Sequence, residues 1–114
     1  MADQGSSKRR YPRYRTGVDV IIYLAQTPIQ ARITQISRGG CLIFPPLPPM
    51  QDQQLRISFR LAEDLPYINC KGEVVYSFSD KGSGVAFTEI SLYNQDLITS
   101  YFEQRLAAEE QGAA

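Results

Sequence analysis

The sequence contains no histidine. That removes imidazole metal sites, histidine proton shuttles and any Ser-His triad from the functions open to it. It has only two cysteines, Cys41 and Cys70, too few to hold a zinc ion by themselves. Two such cysteines are expected to be free buried thiols in a reducing compartment rather than a disulfide. No apolar run approaches the length of a membrane helix, and no apolar signal segment follows Met1. These absences lead to the expectation of a cytoplasmic protein with no membrane insertion. There is no internal repeat. Net charge is absent too, since 12 Lys+Arg balance 12 Asp+Glu.

The balance hides an asymmetry. Residues 1–40 carry a net +5 and the remainder a net −5. The excess is concentrated in KRRYPRYR, Lys8 to Arg15, where five of eight residues are basic. A basic arm on a body that is otherwise neutral or acidic suits a local anionic partner, whereas a nucleic-acid coat makes a whole domain basic. Tyr11 precedes Pro12 and is pushed away from helical geometry, so Arg9, Arg10 and Arg13 are presented on an extended or turned segment. Arginine dominates over lysine, and its planar fork binds phosphates and guanine edges bidentately. A solvated tail that maintains solubility is the plainer reading of the arm alone.

At 114 residues the chain is long enough for one domain with a real core. Residues 1–8 read as a flexible tail, 9–16 as an arginine arm, 17–90 as a barrel, 91–110 as a helix and 111–114 as a second tail. Apolar alternation marks strands over 17–24, 29–34, 41–44, 55–61, 67–78 and 85–90. Gly72 is placed to bend the long fifth segment. SRGG (37–40) and SDKGSG (79–84) read as turns. PPLPPM (45–50) contains a PxxP spacing used by SH3-type ligands, though a rigid surface connection is the plainer reading. From Ser91 the period changes: Leu97, Ile98, Tyr101, Phe102 and Leu106 recur at helical spacing, with Ser91 or Asn94 as cap. The expected fold is mainly β, a six-stranded antiparallel barrel followed by one C-terminal α-helix.

A second candidate site is TQISRGGC, 34–41. It offers an amide (Gln35), a hydroxyl (Ser37) and two glycines (Gly39, Gly40) that permit close approach to the backbone. An ordinary hairpin turn is again the plainer reading of this stretch alone. Taken with the arm, it resembles the PilZ domain family, whose pattern is RxxxR followed by D/N-x-S-x-x-G. RRYPR (Arg9 to Arg13) matches the first part. QISRGG (Gln35, Ser37, Gly40) matches the second except at its first position, and GVAF (84–87) resembles the family's late strand. The resemblance covers roughly residues 8–105.

The resemblance implies a PilZ-type six-stranded barrel that binds cyclic di-GMP, a bacterial second messenger, and takes no cofactor. Arg9, Arg10 and Arg13 would grip phosphates and guanine edges from the arm. Ser37 and the backbone at Gly39 and Gly40 would hold a guanine, with Gln35 beside them and Lys8 and Arg38 as additional contacts. The arm would order on binding and so act as the switch, with unidentified effector proteins as downstream partners. The departure is Gln35, where the family has Asp or Asn. Glutamine keeps the amide but adds one methylene, about 1.5 Å of reach, which is expected to weaken binding by roughly 1 kcal/mol, about fivefold. The alternative is a PilZ-like adaptor that acts through protein contacts without nucleotide. A barrel that binds single-stranded nucleic acid through arm and tyrosines fits the acidic remainder poorly, so no DNA or RNA partner is expected. No nucleophile–base pair is visible, so an enzyme is not expected.

Overall fold

Six apolar, mostly alternating stretches become six strands in the computed structural model, which describes residues 11–48 and 54–113, with side chains to residue 110. The strands are β1 (Tyr14–Leu24), β2 (Thr27–Ser37), β3 (Gly40–Phe44), β4 (Leu55–Phe59), β5 (Ile68–Phe78) and β6 (Gly82–Glu89). A single helix, α1 (Leu92–Ala113), follows them. The strands close in the order β1-β2-β3-β6-β5-β4, every neighbour antiparallel. Closure leaves no unpaired sheet edge. This is the mainly β, six-stranded antiparallel barrel with a C-terminal helix that the sequence pattern predicts.

Alternation sets which side chains fill the barrel. In β4, Leu55, Ile57 and Phe59 are buried, while Arg56 between them is exposed. Val20, Ile22, Ile33, Ile36, Ile43, Ile68 and Val85 complete the interior. The helix packs on that core with Ile98 and Phe102, both buried, flanked by the half-buried Leu97 and Tyr101. Ser91 caps it: the Asn94 N–H donates to Ser91 Oγ at 3.0 Å, satisfying one of the free amides of the first turn. Among the described residues no helix is long and apolar enough to cross a membrane.

Several segments differ from the sequence reading: β2 runs through Thr27–Ser37 where 29–34 was expected, and β4 ends at Phe59 where 61 was expected. β1 starts at Tyr14, inside the stretch read as an arm, because Tyr14 pairs with Ile36 and its ring is buried. The turn read over 79–84 is complete by residue 81, and Gly82, Ser83 and Gly84 belong to β6. Gly82 has a φ of 107° and lies so close to β3 that a Cβ would strike the Ile43 carbonyl oxygen; only glycine fits there. Ser83 is fully buried, accepting from the Leu47 N–H at 2.8 Å and hydrogen-bonded to Ser77 Oγ at 2.8 Å. That bond pulls the proline-rich loop inward. Leu47 is buried in the core, so residues 45–48 are anchored where a surface connection was expected; residues 49 and 50 of that stretch lie outside the described residues. The expected bend at Gly72 coincides with a register shift between Lys71 and Gly72.

Cys41 and Cys70 are both free and buried. Burial raises both thiols, Cys70 to about 12, and proximity to Cys70 adds to the rise at Cys41. An ordinary thiol ionises near 9. The folded state therefore keeps protons that the unfolded chain releases, so this contribution to stability is complete below about pH 9 and is lost as pH rises toward 12. Urea unfolding between about pH 8 and pH 10.5 should show stability falling by up to about 1.4 kcal/mol per pH unit per thiol. A Cys41→Ala/Cys70→Ala variant should show a shallower fall. Parallel curves for the two proteins would rule out the thiols as the source.

Candidate ligand-binding cleft

The buried Ile36 fixes the orientation of its neighbours. With Ile36 facing the core, Gln35 and Ser37 fall on the outer face of β2 by the two-residue period of a strand. Ser37 then pairs with Gly40, so Arg38 and Gly39 form the turn into β3. The turn is held locally: the Gly39 N–H donates to Ser37 Oγ at 3.1 Å, and Gly39 O accepts from the Phe87 N–H at 2.9 Å. Ser37 folds its side chain onto the turn as turn serines do. Its oxygen accepts from Gly39 with one lone pair, and its hydroxyl proton and second lone pair remain for another partner.

These residues line one cleft of about 200 Å³ on the outer wall of β2, β3, β5 and β6. Arg13, Gln35, Ser37, Gly39 and Gly40 all reach it. Five of the seven residues proposed from sequence as ligand contacts are thus brought together from segments more than twenty residues apart. Arg9 and Arg10, and the additional contact Lys8, lie outside the described residues. Arg13 is the only charged side chain among the described lining residues, so the cleft favours an anion. Its volume is below the roughly 300–1,000 Å³ of a cavity that encloses a drug-sized ligand, so it is a shallow surface cleft rather than an enclosing pocket.

The structure does not bring Arg38 into this cleft. Its guanidinium turns toward α1 and donates to Asp96 Oδ1 at 2.7 Å and to Thr99 Oγ1 at 3.2 Å. It also lies 6.0 Å from the centre of the Tyr11 ring. The glycines divide in role as well. A Cβ on Gly40 would strike the Val85 carbonyl oxygen, so this glycine permits the close approach of β3 to β6. A Cβ on Gly39 would press on the edge of the Tyr11 ring at 3.2 Å and otherwise make only an ordinary contact with Ser37 Oγ at 3.9 Å.

Sequence reasoning missed the aromatic wall of the cleft. Tyr76 lies directly opposite Gly84, and its ring covers that glycine so closely that a Cβ would strike it. The ring is 44% exposed, adjoins Phe78 at 5.6 Å between centroids, and lines the cleft with Val75. The only signal in the sequence is an aromatic facing a glycine across a hairpin, which becomes visible once the register is known.

A closed six-stranded barrel with a helix packed on its core and an anion-favouring cleft at its β2–β3 turn defines a small β-barrel domain with one candidate site. The PilZ domain family model matches residues 7–104, and the chain belongs to that family. Among solved structures, the inhibitor of motility MotI/DgrA from Bacillus subtilis superposes with a TM-score of 0.72 at 22% identity, over 89% of this chain and 52% of that one. The chain therefore spans about half the length of MotI. The PilZ domain of YcgR from Escherichia coli, solved with c-di-GMP, superposes with a TM-score of 0.66 at 14% identity, over 92% of this chain and 97% of that one. At these identities the likeness is one of fold. No curated protein sequence matches the chain significantly.

The two turn glycines should separate in a stability measurement. Gly40→Ala should lower stability by about 2–3 kcal/mol, since backbone must move to admit the methyl group. Gly39→Ala should cost less than about 1 kcal/mol, because a partly exposed ring can shift aside. Thermal unfolding of the two variants checks this; equal losses would contradict the division.

Proposed function

We propose that this PilZ domain is a bacterial cyclic di-GMP receptor and not an enzyme. It would bind the dinucleotide through the RxxxR arm, Arg9 to Arg13, and the Q-x-S-x-x-G turn, Gln35 to Gly40. The observation that carries this reading is the convergence of Arg13 with Gln35, Ser37, Gly39 and Gly40 on one cleft. Family membership and the ligand present in the YcgR domain add to it. Arg13 supplies a charge-assisted contact to a phosphate or a guanine edge. Ser37 donates its hydroxyl proton, and the exposed Tyr76 ring offers an apolar face to a base. Arg9 and Arg10 would add their charge as the arm folds over the ligand. The ordering of the arm would alter the surface offered to effector proteins.

A second reading rests on Gln35. The longer amide departs from the Asp or Asn of the family pattern, and this favours an adaptor that works by protein contacts without nucleotide. Calorimetric titration with cyclic di-GMP separates the two. Saturable binding is expected, and Arg13→Ala should weaken it by about 1–3 kcal/mol. Gln35→Asn should tighten it about fivefold by restoring the shorter reach. Absence of saturable binding up to about 100 μM, equivalent to about −5.5 kcal/mol, would exclude the receptor reading and leave the adaptor.

A further inference from the structure

Helix α1 grips both halves of the cleft without lining it. On the turn side, Arg38 stands between Ser37 and Gly39 and is held at both ends. Its guanidinium donates to Asp96 and Thr99, and its carbonyl accepts from Gln95 Nε2 at 3.0 Å. On the arm side, Tyr14 follows Arg13 directly. Its phenol donates to Glu103 Oε2 at 2.8 Å, and its ring lies on Phe102 with 4.9 Å between centroids and 8° between planes. Asp96, Thr99 and Glu103 recur at intervals of three and four, which places them in one stripe along the helix. The adjacent stripe, Ile98 and Phe102, is buried in the core.

Both attachments are thus made to one rigid element. The Arg38 side chain is only 20% exposed, so it is a covered strut rather than a mobile surface cation. The Tyr14 phenol is raised to about 12 by burial, by its hydrogen bond to Glu103 and by the Glu103 charge, with Arg38 partly opposing. It therefore stays protonated as the donor at any physiological pH.

Building on the receptor reading above, we infer that Asp96 and Glu103 are positioning residues for the ligand. They hold Arg13 and the Ser37–Gly40 turn at the separation that an occupied cleft requires. Coupling is reciprocal: the factor by which helix docking raises ligand affinity is the factor by which the ligand strengthens helix docking. Residues 95–103 of α1 are therefore the segment that registers occupancy.

The test measures cyclic di-GMP affinity and amide hydrogen exchange over residues 95–103 for the wild type, Asp96→Asn, Glu103→Gln and the double variant. Urea unfolding establishes that each variant is folded. Each single variant should bind about fivefold more weakly, and Asp96→Glu should regain most of the affinity. At saturating ligand, exchange over 95–103 should slow in the wild type and stay unchanged in the double variant, which a general loss of stability would not produce. If the wild type does not bind, the receptor reading fails and this inference with it. If the wild type binds and the variants bind equally well, or ligand still protects the helix in the double variant, the positioning role alone is overturned. Tighter binding by Asp96→Asn would also overturn it, since Asp96 would then be withholding Arg38 from the ligand.

Discussion

The ring of Tyr14 stacked on Phe102, with Ile98 beside it in the core, is the contact on which the other features depend. It joins the first strand to the C-terminal helix, where Glu103, the neighbour of Phe102, lies eighty-nine residues beyond Tyr14. Two apolar rings removed from water contribute more than the surrounding polar contacts, and a stacked pair adds about 0.5–1.5 kcal/mol beyond its burial. The ion pair of Arg38 with Asp96 is individually weak, because Asp96 is 61% exposed and water screens it. Its importance is geometric. Once the rings have fixed the helix on the barrel, a weak pair suffices to select one orientation of the neighbouring turn.

The cleft shows how a chain of zero net charge can carry a locally cationic site. Its lining carries one guanidinium and no carboxylate among the described residues. The described acidic residues of the second half lie outside that lining, and three of them are paired: Asp96 with Arg38, Glu89 with Lys71, Glu103 with Tyr14. Local charge therefore differs from the zero net charge of the chain, as suits a site confined to one face. A long polyanion would need a continuous basic surface.

Glycine serves packing here as much as ligand approach. Gly40, Gly82 and Gly84 each occupy a place where a methyl group would meet a carbonyl oxygen or a tyrosine ring. These close approaches let β3, β6 and β5 curve tightly enough to close a barrel of six strands, and they make room for Tyr76 at the edge of the cleft. Of the two glycines in the candidate ligand motif, Gly40 is thus also required by the sheet itself and Gly39 is not. Packing and proposed binding thus place overlapping demands on this wall.

Strand number, strand order along the chain and the helix were legible because a period of two in 55–61 and a period near 3.6 from Leu97 to Leu106 are local properties. The grouping of Arg13 with Gln35 and Ser37 was legible only through a family pattern, since nothing local relates residues more than twenty positions apart. Tertiary structure alone decided the rest. Arg38 has the same charge as Arg13 and sits within the motif, yet it turns to α1, because the side chain after Ser37 meets a helix whose position is set by Phe102. Leu47 reads as part of a proline-rich surface loop, yet a buried serine from another strand draws it into the core. Tyr76 becomes a cleft wall only through its register opposite Gly84. In each case the sequence determined the capacity of a side chain, and long-range packing determined the partner it meets.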